Sequence, residues 1–294
     1  MAAANNRRKA EAALAANTIV WGLTFVVVKS ALAGISPVFF LALRFSVAAL
    51  ALLVIYRRGW KANWRELAAG ALVGVFLFLG YLLQTLGLLY TSAPRSAFLT
   101  GLSSVLVPLL AALVYKNRPQ ISELLGILVA LAGLALMTLE GPIRSINPGD
   151  LLTVGCAVAF AAHIVTLGHY SALARFDTLS FAQVSTAALA ALSLFWWVEP
   201  VHVAWRPGLV WAILLTGLLA TALAFSVQTW AQRYTTATRT ALIYTLEPVV
   251  AWATSYWLLG EGLSGRAGAG AALILGGVVL VELKPSKPVL HQPK

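Results

Sequence analysis

Charge and sulfur are both scarce in this chain of 294 residues. Charged side chains make up 11% of the sequence, ten residues are acidic, and Cys156 is the single cysteine. One cysteine excludes a disulfide within the chain, and no Cys/His cluster has metal-ligand spacing, so we expect neither a metal nor a cofactor. A Walker motif and a Gly-rich dinucleotide fingerprint are also missing, which argues against direct use of ATP.

Apolar residues, in contrast, fill 60% of the chain, and the mean hydropathy is +0.84. A soluble domain of this size has too little interior to bury so much apolar surface. A helix needs about 20 mostly apolar residues to cross a bilayer. Because the bilayer core offers no water to the backbone, we predict an all-α membrane protein with ten transmembrane helices. The predicted spans are roughly 12–32, 38–56, 67–90, 97–115, 122–139, 151–172, 179–198, 209–232, 241–259 and 268–283.

The last five segments repeat the pattern of the first five. At an offset of 144 residues, Gln84-Thr85 recurs as Gln228-Thr229, within a longer motif of matched polar and small residues. Earlier in each half the offset is 139, as when Ser46 recurs as Ser185. A longer loop around 199–208 accounts for the difference.

Each half contains five spans, an odd number, so the second half must enter the membrane upside down relative to the first. Inverted repeats of this kind are a common construction of secondary transporters, with the substrate site near the repeat interface. We therefore predict two inverted five-helix repeats, 12–139 and 151–283, around a central cavity. Segments 1–11 and 284–294 are predicted to be cytoplasmic tails.

The distribution of basic residues indicates the orientation. With the N-terminus inside, the cytoplasmic segments carry 15 Lys and Arg and the outer loops carry four. Such a bias predicts both termini in the cytoplasm, in a multi-pass protein of the cytoplasmic (inner) membrane. It also accounts for the net charge of +11, so we expect anionic lipid headgroups and no nucleic acid as partners. A cleaved signal peptide ending near Ala33 is the alternative, but Lys29 interrupts its apolar run.

Two segments carry a resemblance to a known family. Ser36–Phe45, which ends in Leu-Arg-Phe, and Glu247–Val250, followed by Leu258–Glu261, resemble EamA-type members of the drug/metabolite transporter superfamily. The resemblance covers about 12–283 and implies a ten-helix transporter, most often an exporter of small metabolites such as amino acids. The second half departs from the pattern at Gln183, which stands where the first half has Arg44.

The expected function is therefore secondary export of small organic metabolites by alternating access, with bends near Gly80, Pro108 and Pro248. Amino acids, aromatic ones included, fit the many aromatic residues and the few charges within the spans. We expect the protein to act as a monomer and not as an enzyme. A channel or lipid-handling carrier is the main alternative, and an intramembrane enzyme is a more remote one.

Polar and aromatic residues at mid-membrane depth avoid lipid and so predict the substrate site. The candidates are Asn17, Trp21, Tyr81, Gln84, His163, Gln228 and Tyr244. Each has a structural alternative: an amide can join two helices, Trp21 can fill a packing gap, and a neutral His163 can bind a backbone carbonyl.

Two ionisable residues are candidates for proton coupling, and a third residue is expected at the membrane surface. His163 titrates near physiological pH, and Glu247 is a carboxylate within the ninth span. Glu247 precedes Pro248, so it can equally be an element of the fold. Arg44 lies about two turns from the outer end of its span and is expected to extend its side chain to the interface, with binding of a substrate carboxylate as the alternative.

Overall fold

The computed structural model describes residues 2–57, 63–91, 93–116, 120–139, 146–259 and 265–282. The predicted tail 284–294 lies outside these residues. Their regular secondary structure is helical, in the order α1 Ala2–Leu32, α2 Pro37–Tyr56, α3 Trp64–Gly87, α4 Ala93–Gly101, α5 Ser103–Tyr115, α6 Ile121–Thr138, α7 Pro148–Ser171, α8 Phe176–Val198, α9 Pro207–Gly217, a π-helical segment Leu218–Leu223, α10 Ala224–Ala231, α11 Ala237–Tyr244, α12 Glu247–Leu259 and α13 Gly265–Glu282.

Seven helical segments of the described chain are long and apolar enough to cross a membrane. They correspond to the predicted spans 2 to 8, and the fourth and eighth each combine consecutive helices. The first predicted span lies within α1, which begins at Ala2 and so includes the basic N-terminal residues. The tenth corresponds to α13, whose apolar part is shorter, Gly265–Val281. A polytopic helical fold is thus confirmed, and the count of ten spans stays a prediction.

Two predicted spans are each broken into two helices. Leu102 separates α4 from α5, and Thr245 and Leu246 separate α11 from α12. Leu102 and Leu246 are 144 positions apart, so the breaks fall at matched positions of the sequence repeat. Pro248 accounts for the second break, because proline has no N–H to donate to the carbonyl of Tyr244.

The eighth span contains a π-helical turn between α9 and α10. A π-turn accommodates one extra residue in a helix. The offset between the two halves changes at the same place. Gly74 and Gly217 make equivalent close contacts and lie 143 positions apart, whereas the matched residues Tyr81 and Phe225 lie 144 positions apart. A Cβ on Gly74 would lie 2.5 Å from the carbonyl oxygen of Gln183, and a Cβ on Gly217 would lie 3.0 Å from that of Arg44. The π-turn is therefore a one-residue insertion in the second half.

Small residues allow α6 and α13 to pack backbone against backbone. A Cβ on Gly126 would lie 2.8 Å from the carbonyl oxygen of Gly277, and a Cβ on Gly133 would lie 2.5 Å from that of Gly270. Such close approaches are typical of helix pairs in membranes. The main apolar core lies elsewhere, between α2, α3 and α8, and includes Phe45.

Candidate functional site

The candidate site is built on the π-helical segment, whose carbonyl groups accept hydrogen bonds from side chains of other helices. The Ala220 oxygen accepts from Trp21 Nε1 at 2.8 Å and from Arg44 Nη2 at 3.2 Å. One turn further on, the Ala224 oxygen accepts from Asn17 Nδ2 at 2.8 Å. A π-turn disturbs the regular hydrogen-bond ladder, which makes carbonyl oxygens available to such partners. Helices α1 and α2 are thereby fixed to the eighth span.

Aromatic rings from five helices meet beside this segment. Phe225 contacts Trp21 at 5.7 Å between centroids and Tyr81 at 6.2 Å. Trp21 also contacts Tyr244 edge-on at 4.9 Å, and Tyr81 contacts Phe160 at 5.4 Å. The edge-to-face geometry is the arrangement that aromatic quadrupoles prefer. These five rings, which we call the aromatic cluster, bring three of the predicted site residues together.

The predicted amide Gln84 belongs to a small polar group between α3, α4 and α7. Its Nε2 donates to Thr100 Oγ1 at 3.2 Å, and Thr100 Oγ1 lies 3.8 Å from Cys156 Sγ. Cys156 is buried. The Gln84 Nε2, the Thr100 hydroxyl and the Cys156 thiol thus contact one another across the first half and the helix that follows it.

The sequence repeat matches each residue of this group with a residue of a second group. Gln84 and Thr100 match Gln228 and Tyr244 at 144, and Cys156 matches Asn17 when the offset of 139 is extended into the first helix of each half. Asn17, Gln228 and Tyr244, which we call the open triad, were all predicted site residues. Asn17 is buried, and the Tyr244 hydroxyl lies beside it.

The open triad contains buried polar atoms that make no hydrogen bond of normal geometry to the described residues. Gln228 is 1% exposed, yet its Oε1 has no hydrogen bond to any residue in the described ranges. The Tyr244 hydroxyl likewise makes no hydrogen bond of normal geometry there. Gln228 Nε2 makes a long contact of 3.4 Å to Gln232. Buried polar atoms are nearly always satisfied, so two such atoms in one triad require an explanation.

His163 takes part in a chain of hydrogen bonds that links α7, α8 and α10. Its Nε2 lies 3.0 Å from Gln183 Oε1, and Gln183 Nε2 donates to Thr229 Oγ1 at 2.8 Å. His163 is 2% exposed and stands edge-on to Phe225 at 5.7 Å. The other members of this chain, Gln183 and Thr229, are neutral, so His163 serves to connect helices through hydrogen bonds.

Arg44 does not extend to the membrane surface, so that expectation is wrong. Its side chain is 4% exposed, and its Nε donates to Thr221 Oγ1 at 2.7 Å. Its Nη2 is 3.3 Å from the Tyr81 hydroxyl, and its Cζ lies 4.8 Å from the centre of the Tyr81 ring. The orientation of α2 turns the residue towards the π-helical segment, where its hydrogen-bond partners are neutral groups.

Glu247 begins α12 at the break in the ninth span. A carboxylate at the first residue of a helix interacts favourably with the positive end of the helix dipole. Glu247 also lies within electrostatic range of Arg44, Tyr81 and Tyr244. It therefore faces the same region as the aromatic cluster.

A buried ion pair joins three helices near the ends of α1 and α13. Glu11 Oε1 accepts from Arg239 Nη1 at 3.3 Å and from Thr235 Oγ1 at 3.0 Å. Arg239 Nη2 donates to the carbonyl oxygen of Val281 at 3.1 Å. Arg239 is one of the 15 basic residues of the predicted cytoplasmic segments, whereas the structure places it in α11 with 2% of its side chain exposed.

The structure thus brings together most of the predicted residues but not all of them. Trp21, Tyr81 and Tyr244 lie in the aromatic cluster, and His163 touches Phe225. The Asn17 amide lies beside the Tyr244 hydroxyl, and Gln228 follows Phe225 by one turn on α10. Gln84 belongs to the separate, partnered group. The predicted set did not include Phe160 and Phe225, although the repeat offered a signal, since Phe225 matches Tyr81 and Phe160 matches Trp21. Arg44 was outside the set because an interfacial position was favoured over substrate binding.

Comparison with known proteins agrees with this architecture. The model of the EamA-like transporter family matches residues 8–139 and again 147–283. An uncharacterized transporter of Archaeoglobus fulgidus is 34% identical over 278 residues, which cover 95% of this chain and 87% of that protein. The uncharacterized transporter YyaM of Bacillus subtilis strain 168 is 30% identical, with 89% and 90% covered.

A solved crystal structure shares the fold. Its TM-score to this chain is 0.77 at 20% sequence identity, and the match covers 92% of this chain and 95% of the other. Together with the apolar helices, these similarities define the class as a multi-pass membrane transporter. The chain belongs to the EamA-like transporter family.

Proposed function

We propose that the protein is a secondary exporter of small organic metabolites, with amino acids, aromatic ones included, as the substrate class. It works by alternating access of two inverted five-helix repeats, 12–139 and 151–283, in the cytoplasmic membrane. Ten spans, cytoplasmic termini and a monomer complete the proposal. The single observation that carries it is the open triad beside the aromatic cluster.

Reciprocal contacts support the inverted repeats. Gly126 matches Gly270 and Gly133 matches Gly277 at the offset of 144. The packed pairs are Gly126 with Gly277 and Gly133 with Gly270, so exchanging the two halves converts one pair into the other. A two-fold axis between the repeats produces this exchange, and an axis in the membrane plane makes the halves inverted.

The broken helices support a binding site at the interface of the repeats. Transporters with inverted repeats commonly form their substrate sites at discontinuous helices near mid-membrane depth. Here the breaks at Leu102 and at Thr245–Leu246 fall at matched positions of the two halves. Tyr244, a member of the open triad, is the last residue before the second break.

The open triad and the aromatic cluster support the substrate class. The unpartnered Gln228 Oε1 accepts a donor such as an ammonium or amide group, and the Tyr244 hydroxyl beside Asn17 can donate or accept. The rings of Trp21 and Phe225 supply an apolar surface next to these atoms. A solute with a polar head and an apolar or aromatic side chain matches this combination.

Two sets of contacts are proposed as the gates. At the end proposed to face the cytoplasm, Glu11 and Arg239 join α1 to α11. At the other end, Glu199 Oε1 accepts from the backbone N–H of Val38 at 2.6 Å, and Ser36 Oγ donates to the Pro200 carbonyl oxygen at 2.9 Å. Alternating access requires that these sets open in turn.

Flux through proteoliposomes tests the proposal. Purified protein should carry labelled amino acids down their gradients with saturable kinetics and without nucleotide. Ohmic conductance would instead establish the channel, and chemical conversion of the solute would establish an enzyme. Flux that appears only with ATP would contradict the proposal.

A further inference from the structure

The charge balance at Arg44 is incomplete in a way that points to a ligand. In the described part of the chain, no carboxylate lies within 4 Å of this guanidinium, and its three hydrogen bonds go to the neutral groups Thr221, Ala220 and Tyr81. Moving a cation out of water is costly, and at membrane depth such a charge normally has an anionic partner. Glu247 interacts with Arg44 only at longer range.

The donors of Arg44 are also only partly used. Nε and Nη2 are bonded, whereas Nη1 has no hydrogen bond to any residue that the structure describes. Among the described residues, Nη1 is therefore the group of this guanidinium that remains available for a ligand. The planar guanidinium fork suits carboxylates, which it binds through two parallel N–H donors.

The position of Arg44 connects it to the rest of the site. Arg44 Nη2 and Trp21 Nε1 donate to the same oxygen, that of Ala220, and the Tyr81 ring lies beneath the guanidinium. An anion bound to Nη1 would therefore lie next to the aromatic cluster. The repeat makes this position unique, because the matched residue in the second half is the neutral Gln183.

We propose that Arg44 binds the carboxylate of the transported solute, with Tyr81 and Thr221 as positioning residues that hold the guanidinium fork. The inference deepens the proposed function and rests on it: it restricts the substrates to carboxylates and assigns the two ends of the solute. The carboxylate lies at Arg44, and the other polar group lies towards the open triad.

Matched pairs of ligands test this on the wild-type protein without any substitution. The probes are L-phenylalanine, L-tyrosine, L-tryptophan and L-leucine, each beside its carboxamide, and binding to the purified full chain is measured by calorimetry. At least one amino acid should bind, and its carboxamide should bind about ten-fold or more weakly, because a hydrogen bond to a charged group is lost. Equal binding of acid and amide, or no binding of any acid, would overturn the inference.

Substitutions on α2 then assign the effect to one residue. Arg44→Gln should weaken binding of the amino acid to the level of its carboxamide. Arg44→Lys keeps the positive charge, so it should fold and retain part of the preference for the amino acid over the carboxamide. Arg57→Gln removes an exposed arginine of the same helix region and should bind as the wild type does. A preference for the acid that survives in Arg44→Gln would contradict the assignment.

These experiments distinguish failure of the proposed transport function from failure of the role assigned to Arg44. If acids bind through Arg44 but proteoliposomes show no flux, the proposed function fails and the carboxylate site stands. If flux occurs with equal preference for acids and amides, the function stands and the role of Arg44 fails.

Discussion

The rings of Tyr81 and Phe225 stand edge to face with centroids 6.2 Å apart, although 144 positions separate them in the chain. They are matched residues of the sequence repeat. Two matched residues can touch only where the halves meet at their symmetry axis. Each ring has a matched neighbour as well, Phe160 beside Tyr81 and Trp21 beside Phe225. The centre of the aromatic cluster is therefore also the junction of the two repeats.

The first prediction concerns the glycine contact between α6 and α13. Gly133→Ala would place a Cβ 2.5 Å from the carbonyl oxygen of Gly270, so we expect the helices to separate at a cost of about 1–3 kcal/mol. Thermal unfolding in detergent should show a lower midpoint. Gly276→Ala on α13 is the matched control, because nothing lies within 4 Å of its Cβ position. Equal midpoints for the two variants would contradict the packing account.

The second prediction concerns orientation. In a Cys156→Ser background, a cysteine at Ile146, which is 74% exposed, should react with an impermeant thiol reagent added to intact cells. A cysteine at the exposed Arg233 should react only after the membrane is permeabilised. The positive-inside distribution is the physical reason. The reverse labelling pattern would overturn the proposed topology.

The third prediction concerns the substrate contact of Trp21. Trp21→Ala should weaken binding of the best transported solute by on the order of 1–3 kcal/mol, or about ten-fold or more, because a large aromatic surface is lost. Trp197→Ala is the control, since that indole is 85% exposed on the outside of α8. Calorimetry on monodisperse protein is the measurement. Wild-type affinity in Trp21→Ala would assign the residue to packing.

The fourth prediction separates the two candidates for proton coupling. His163 is buried against the neutral amide of Gln183, so His163→Gln should leave the pH profile of transport unchanged. Glu247 interacts electrostatically with Arg44, Tyr81 and Tyr244, and its replacement by Gln removes that carboxylate. Glu247→Gln should therefore flatten the profile in proteoliposomes between pH 5.5 and 8. The opposite result would move the coupling role to His163.

Hydropathy and the repeat made the helical membrane fold predictable, because lipid accepts only apolar segments with satisfied backbones. The break before Glu247 was also foreseeable from Pro248. The break at Leu102 was not, since nothing in its local sequence removes a backbone donor. The π-turn has a signal in the change of offset from 143 to 144, but one inserted residue is visible only once Gly74 and Gly217 are known to pack alike.

The sequence predicted which residues lie at the candidate site but not which hydrogen-bond partners they have. Intramembrane polar residues had to face inward, and Trp21, Tyr244 and Gln228 do lie at the site. The partner of each amide depends on one neighbouring side chain, since Gln84 Nε2 donates to Thr100 and Gln228 Nε2 contacts Gln232. The burial of Arg44 depends on the rotation of α2, which hydropathy does not report.

Counterflow in proteoliposomes tests alternating access most directly. Vesicles loaded with an excess of unlabelled substrate are diluted into a trace of the labelled form, with no ion gradient and no nucleotide. A carrier that exposes one site to each side in turn should accumulate the label transiently above equilibrium, and Trp21→Ala should reduce that accumulation. Label that only rises to equilibrium, with no overshoot under any loading, would contradict the account.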